Sequence, residues 1–242
     1  MIAKIFVRQK VNVDSPFDYI VEEKKVPDLF SLVAVPFRNR KAQGVVFKLA
    51  VNSNFASKKI IRLISKSTIF TPLQFKLASA MSELYAASFA KTIFSFLPKM
   101  NLEDLKCLGS KVVLKRNKKS VKRLIIASKD ERLEFYCQSL GRKKTNLNQN
   151  LLVFPTVHDI DRAVLKLKKY LPSQKILAWN SSLSSSQKAR IWQGLIAGEN
   201  LTIVGTRHAL FLPFTSFARS TSMIQQILPI KKTSRRIIVH FR

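Results

Sequence analysis

The sequence predicts an α/β chain in two parts: a small, β-rich, barrel-like N-terminal domain followed by a parallel α/β lobe. Three observations carry this. Residues 1 to about 70 hold short β-branched and apolar runs set apart by turn residues, the pattern of a small barrel or curled sheet. From residue 124 onward, strand-like and helix-like stretches alternate, which implies a parallel sheet with helices on its faces. The hydrophobic content is 46% over 242 residues, enough for a proper core and too much for a disordered chain.

In the first part the expected strands are Ile2–Val7, Phe17–Val21, Leu32–Pro36 and Gly44–Leu49. Asp14-Ser15-Pro16, Val26-Pro27-Asp28 and the stretch from Arg38 to Gln43 supply the breaks between them. A helix follows, with Thr71 at its N-cap and Pro72 in the first turn, where a missing N–H leaves no hydrogen bond unmade. Its expected core face is Leu73, Leu77, Ala80, Met81 and Leu84. A second apolar patch, Ile93–Leu97, ends at Pro98.

The second part reads as strand Leu124–Ala127, helix Asp130–Leu140 and strand Leu151–Thr156. Next comes a helix, Val157–Leu171, with Val157, Ile160, Ala163, Val164, Leu167 and Leu171 on one face. Lys175–Trp179 is a strand. Ser184 and Gln187 then form a capping box that opens a helix burying Ile191, Trp192, Leu195 and Ile196. Leu201–Val204 is a buried strand that leaves the sheet at Gly205.

Charge narrows the partners. Lys and Arg number 43 against 14 Asp and Glu, a net charge of +29 and a pI near 10.6. Such a field attracts nucleic acid, an anionic membrane face or an acidic protein. Lys or Arg interrupts every apolar segment before it reaches 18 residues, so no membrane span is expected. The N-terminus has no charged-then-apolar leader, and Cys107 and Cys137 have no metal-ligand spacing. Both fit a reduced, cytoplasmic setting with no metal and no cofactor.

The corner Gly205-Thr206-Arg207 can offer free N–H groups, a hydroxyl and a guanidinium to a phosphate. It can equally be an ordinary strand end with an exposed arginine. The run Gly205-Thr206-Arg207-His208-Ala209-Leu210-Phe211, followed by Pro213-Phe214, resembles the GTRSALF-x-PF segment of the primosomal protein N′ family of replication-restart helicases. Asn180-Ser181-Ser182-Leu183-Ser184 stands where that family has HSGLS, and Trp192 and Gly198 fit its W-x-x-(I/L)-x-x-G pattern. Leu152-Val153-Phe154-Pro155-Thr156 takes the place of its VLVPE strand, with His158 a plain surface residue beyond it. By this resemblance the second part is a partial P-loop-helicase-like lobe, and Thr206 and Arg207 are DNA contacts.

The first part carries a second set of matches. Ser15-Pro16-Phe17-Asp18-Tyr19, then Val33-Ala34-Val35-Pro36-Phe37, then Gly44-Val45-Val46, is similar to the PFDY…V-x-VPFG…GIVV series of the same family. There the domain binds the 3′ end of a DNA strand, the motif Asp hydrogen-bonding the terminal base between aromatic walls. The resemblance gives those roles to Asp18, Phe17 and Tyr19, and a looser alignment makes Lys58 a pocket lysine. The chemistry is sound, because a carboxylate accepts from base N–H groups and flat rings stack on bases. The other reading is a capping Asp between two core aromatics. The family's glycine after Pro-Phe is Arg38 here, so either the pocket is altered or Arg38 reaches a phosphate.

Between the parts, Lys115, Arg116, Lys118 and Lys119 belong to a basic run from Asn101 to Arg123 that is either a solvated linker or a track for DNA backbone. The family's winged-helix domain has too little chain here and is missing or reduced. The family's phosphate loop, G-x-T-G-S-G-K-T-E, aligns with Ala127-Ser128-Lys129-Asp130-Glu131-Arg132-Leu133-Glu134, which has no glycine to wrap a phosphate chain. Motor ATPases also hold Mg²⁺ through an acidic strand end, DEEH in this family, and no Asp or Glu follows Glu199. The resemblance with these departures implies a relative without ATPase activity.

The expected division is therefore a 3′ DNA-binding domain over 1–98, a basic linker over 99–123, a degenerate first helicase lobe over 124–214 and a tail over 215–242. The tail shows no clear period. A shifted reading frame, a fragment and a diverged tail compete to explain it, and the abrupt loss of resemblance favours the first. The implied protein binds single-stranded or forked DNA at 3′ ends without unwinding it, beside other replication-restart proteins and no membrane. Two other classes stand against this reading: a generic basic RNA-binding or ribosome-associated protein, and a helicase subunit whose ATP site comes from another chain.

Overall fold

The computed structural model describes residues 1–8, 15–22, 26–52, 55, 58–65, 68–98, 122–126, 128–141, 149–215, 217–222 and 237–241. The chain forms two compact units: Met1–Val113 with Leu183–Ala197 and Phe211–Thr215, and Leu114–Ser182 with Gly198–Leu210 and Ser216–Arg242.

The first unit is built on β1 (Ile2–Val7), β2 (Phe17–Ile20), β3 (Leu32–Phe37), β4 (Arg40–Ala50) and β5 (Arg62–Leu63), paired antiparallel in the order β2-β1-β4-β3-β5. The stretch 58–65 joins the two edges of this sheet. Its start bonds to β2, with Ile20 N donating to Lys58 O at 2.9 Å and Ile60 N to Ile20 O at 3.2 Å. Its end bonds to β3, with Ile61 N donating to Ala34 O and Ile64 N to Leu32 O, both at 2.9 Å. The sheet thus curls into a small barrel and leaves few strand edges open.

Strand alternation fills the interior with Ala3, Ile5, Val7, Tyr19, Val33, Val35 and Val46. Gly44 is part of that packing, because a Cβ there would run into an Ile5 methyl. The outer face meets α1 (Pro72–Leu84) and α2 (Phe89–Phe96) through an aromatic cluster. Phe75 is its hub, with ring centroids 4.2 Å from Phe30, 5.6 Å from Phe89 and 6.1 Å from Phe47. Helix α5 (Ser185–Ile196) belongs to this unit: Trp192 is fully buried edge-on to Phe70, and its indole N–H donates to Ile69 O at 3.2 Å.

The caps match the sequence pattern. Thr71 and Gln74 form a capping box at α1, as Ser184 and Gln187 do at α5. The buried face of α1 does not. Gln74, Phe75 and Ala78 face the core, whereas Leu73 is 62% and Leu84 76% exposed. The expected face of Leu73, Leu77, Ala80, Met81 and Leu84 is corrected to the outer one. The physical reason lies in Phe75, whose ring completes the aromatic cluster and sets the rotation of the helix.

The second unit holds a parallel sheet in the order β10-β7-β9-β8, from β7 (Gln149–Val153), β8 (Lys175–Trp179), β9 (Leu201–Gly205) and β10 (Phe217–Ser222). Helices α3 (Lys129–Gly141) and α4 (Val157–Tyr170) bury Leu133, Tyr136, Cys137, Ile160, Ala163 and Leu167 in one core with Leu152 and Val204. Burial pushes the Cys137 thiol above its usual pKa, so it packs as a small apolar residue. Val157, expected on the apolar face of α4, is instead 42% exposed at the helix start.

Two pairings differ from the sequence reading. Strand β6 (Lys122–Ile126) lies outside the parallel sheet and pairs antiparallel with β11 (Ile237–Phe241). The stretch after residue 214, which shows no period, contributes β10 alongside β7 as well as β11. Such partners are settled by long-range hydrogen bonding, which no local pattern announces.

Candidate nucleic-acid interface

The PFDY-like stretch is strand β2, and strand geometry sorts its three residues to two faces. Phe17 and Tyr19 point into the barrel. The Tyr19 ring is buried, its hydroxyl donates to Pro36 O at 3.2 Å, and burial pushes its phenol above the usual pKa. Phe17 packs edge-on against Phe37 with centroids 5.2 Å apart. Asp18 points outward, where the Lys4 ammonium lies 3.1 Å from Oδ1 and 3.4 Å from Oδ2.

Register explains that contact. Lys4 on β1 stands directly opposite Asp18 on one side and Lys48 of β4 on the other. The three charges form a row across neighbouring strands on the outer wall. The Asp18 side chain is 9% exposed and that of Lys4 37%, so the pair is partly screened from solvent. Lys48 reaches this face through a β-bulge, because the register steps from Lys4↔Lys48 to Ile5↔Val46 and leaves Phe47 without an opposite residue. The bulge lets the successive residues Phe47 and Lys48 both lie outward, between inward-facing Val46 and Leu49.

Arg38 sits at the tip of the β3–β4 hairpin. Arg38 and Asn39 have φ of 44° and 58°, as the two central residues of a tight hairpin require. The family's glycine at this position suits that left-handed conformation, and an arginine there costs about 1 kcal/mol of backbone strain. Its guanidinium carbon lies 5.6 Å from the Phe37 ring centroid, over the ring that Phe17 touches. Lys58 is exposed, and its carbonyl accepts from Ile20 N beside β2.

The structure thus gathers Asp18, Lys4 and Lys48 on the outer wall, and Phe17, Tyr19, Phe37 and Arg38 at and inside one end of the barrel. Lys115, Arg116, Lys118 and Lys119 lie outside the described residues, as do Cys107 and Ala127. Sequence reading missed Lys4 and Lys48. The signal for Lys4 was present, since a single cation within Ile2-Ala3-Lys4-Ile5-Phe6-Val7 marks an outward position on an otherwise apolar strand.

In the second unit, Thr206 and Arg207 follow β9 at its C-terminal end, and Arg207 is exposed. Gly205 makes the corner possible, because a Cβ there would lie 2.9 Å from Trp179 O and 2.7 Å from Ala209 Cβ. Ala209 N donates to Thr206 O at 2.8 Å and opens a 3₁₀ turn over Arg207–Phe211. Elsewhere, where the phosphate-loop segment aligns, α3 begins with its own cap. Glu131 Oε2 accepts from Ser128 N at 2.9 Å, and Glu131 N donates to Ser128 Oγ at 3.4 Å. Asp130 is bound to Arg162 at 2.8 Å. Among the described residues, no three His, Cys, Asp or Glu side chains converge to hold a metal ion, and no helix is long and apolar enough to cross a membrane.

A curled sheet with a charged outer wall and an aromatic end makes the first unit a small barrel. Residues 4–98 match the family model described as "3'DNA-binding domain (3'BD)". The chain is 23% identical to replication restart protein PriA of Rickettsia conorii over 218 residues, covering 82% of this chain and 34% of that protein. It is 25% identical to the Rickettsia prowazekii protein of the same name over 222 residues, with the same coverage. The Helicobacter pylori protein is 24% identical over 214 residues, 84% of this chain and 34% of its own length. Over the part that matches, the chain is similar to these replication restart proteins, and it spans about a third of their length.

Proposed function

We propose that this protein binds DNA in replication restart, at 3′ strand ends or forks, without ATP-driven unwinding, in the cytoplasm and beside other restart proteins. The observation that carries the reading is the outward Asp18 carboxylate on β2, inside the stretch that matches the 3′ DNA-binding domain. A terminal base offers N–H donors to such a carboxylate, while Lys4 and Lys48 on the same wall attract the backbone. Arg38 stacked on Phe37 gives a cation over a ring at the barrel end, a further contact for phosphate. Thr206 and Arg207 of the second unit, and the basic run with Lys115, Arg116, Lys118 and Lys119, supply contacts without sequence preference. The proposed functional organisation is the division into 1–98, 99–123, 124–214 and 215–242, although Leu183–Ala197 and Phe211–Thr215 belong to the first compact unit.

Absence of motor activity is supported by the start of α3. There the Ser128 and Glu131 N–H groups, two of those that could face a phosphate, are engaged by the Glu131 carboxylate and the Ser128 hydroxyl. A carboxylate in that position repels a second anion.

The test compares one strand ending in a 3′-hydroxyl with the same strand ending in a 3′-phosphate, by fluorescence anisotropy at one fixed salt concentration. The free hydroxyl should bind more tightly, and Asp18→Ala should reduce that preference by about 1–3 kcal/mol. Indifference of the wild-type protein to 3′ chemistry would hand the assignment to a generic basic RNA-binding protein.

A further inference from the structure

A groove of about 750 Å³ lies on the outer face of the barrel beneath α1. Its walls are the rings of Phe6, Phe47, Phe75 and Phe89. Lys76 and Glu83 stand on its rim, with the hydroxyls of Ser79 and Ser82 between them. This is within the roughly 300–1,000 Å³ of sites that enclose small ligands. Phe47 is 42% exposed, so one ring of the wall is offered to an incoming group.

We infer that this groove is a stacking subsite for an unpaired base of single-stranded DNA, one or two nucleotides inward of the strand end held at Asp18. The inference rests on the reading of Asp18 above and adds a second site to it. Three observations lead there. Phe6 is two residues along β1 from Lys4 and on the same face, roughly 7 Å away by strand rise, about the reach of one nucleotide. The bulge that carries Lys48 to this face carries Phe47 with it, so ring and cation are presented together. Charge is divided as a nucleotide requires: Lys4, Lys48 and Lys76 suit phosphates, while Glu83 and the serines suit the N–H and carbonyl edges of a base. Rings bind any base through its flat face, so the subsite has no sequence preference. An apolar protein segment would use the rings but bring no charge to meet Lys48 and Lys76.

The test uses the full chain and oligonucleotides carrying 2-aminopurine at the first, second, third or sixth position from a free 3′ end. In the wild-type protein the emission change should be confined to the second or third position. Phe47→Leu, which keeps an apolar side chain, should abolish that change and raise Kd about fivefold or more. Ser79→Trp, at an exposed position on the rim, should do the same by filling the groove. Both variants should retain the preference for a 3′-hydroxyl over a 3′-phosphate. If the preference persists but the emission change is missing, or survives both substitutions, the groove is not a base site and Asp18 still is. Loss of both signals in the wild-type protein removes the end-binding reading and the subsite together. Capture of a Phe- and Leu-rich peptide that leaves the emission change untouched would assign the surface to a protein partner and overturn the proposal.

Discussion

The Lys4 ammonium stands 3.1 Å from Asp18 Oδ1 because the two residues are directly opposed on β1 and β2. A carboxylate held by a cation repels a terminal phosphate less than a bare one. Replacing Lys4 with Gln should therefore sharpen discrimination against a 3′-phosphate while leaving the fold intact. The Asp18 side chain is only 9% exposed, so loss of its cation should also lower the melting temperature, by more than the loss of a surface pair would. Unchanged discrimination in Lys4→Gln would show that the pair is structural and not part of end recognition.

Arg38 occupies a backbone conformation that favours glycine, with φ of 44°. Arg38→Gly should stabilise the barrel or leave it unchanged, relief of about 1 kcal/mol of strain offsetting the lost contact with Phe37. Arg38→Val should destabilise it by about 1–2 kcal/mol, since a β-branched residue tolerates positive φ poorly. Urea denaturation of the three proteins gives the order. If Arg38→Gly weakens DNA binding while raising stability, the arginine is retained for its charge.

Gly205 has no room for a side chain, because an added Cβ would lie 2.7 Å from Ala209 Cβ and 2.9 Å from Trp179 O. Gly205→Ala should destabilise the second unit by about 1–3 kcal/mol through backbone displacement. Arg207→Ala, at an exposed neighbour, should leave stability unchanged and lower DNA affinity. A stable Gly205→Ala protein would mean that the corner after β9 is less tightly determined than its geometry indicates.

Binding should fall steeply with salt, given a net charge of +29. If roughly five phosphates are neutralised on a single strand, log Kobs against log salt has a slope of about −3 to −4. Replacing Lys115, Arg116, Lys118 and Lys119 with Ser should flatten it. An unchanged slope returns that run to the role of a solvated linker.

The purified chain should show no DNA-stimulated ATP hydrolysis and no measurable nucleotide binding, because α3 caps itself with Ser128 and Glu131. Turnover that co-purifies with the chain and disappears in Arg132→Ala would reverse this.

Much of the fold was legible from local patterns. Strand Ile2–Val7, the N-caps Thr71 and Ser184, and strands Lys175–Trp179 and Leu201–Gly205 lie where periodicity and capping chemistry place them. These depend on contacts within a few residues, which sequence records directly. The rotation of α1 was not legible. Leu73 and Leu84 make a better apolar stripe on paper than Phe75 with Gln74, and distant rings decided otherwise.

The candidate site divides the same way. The sequence by itself determined that Phe17, Asp18 and Tyr19 lie on one strand of a small barrel, and therefore that the carboxylate and the rings face opposite ways. Tertiary structure alone decided which way was out. It brought Lys4 and Lys48 into line with Asp18 through strand pairing between residues 14 and 44 positions apart, and it turned Phe47 outward by a bulge. Side-chain alternation is a property of one strand, but register and bulges arise between strands. Their energies come from hydrogen bonds and packing that exist only once the barrel has closed.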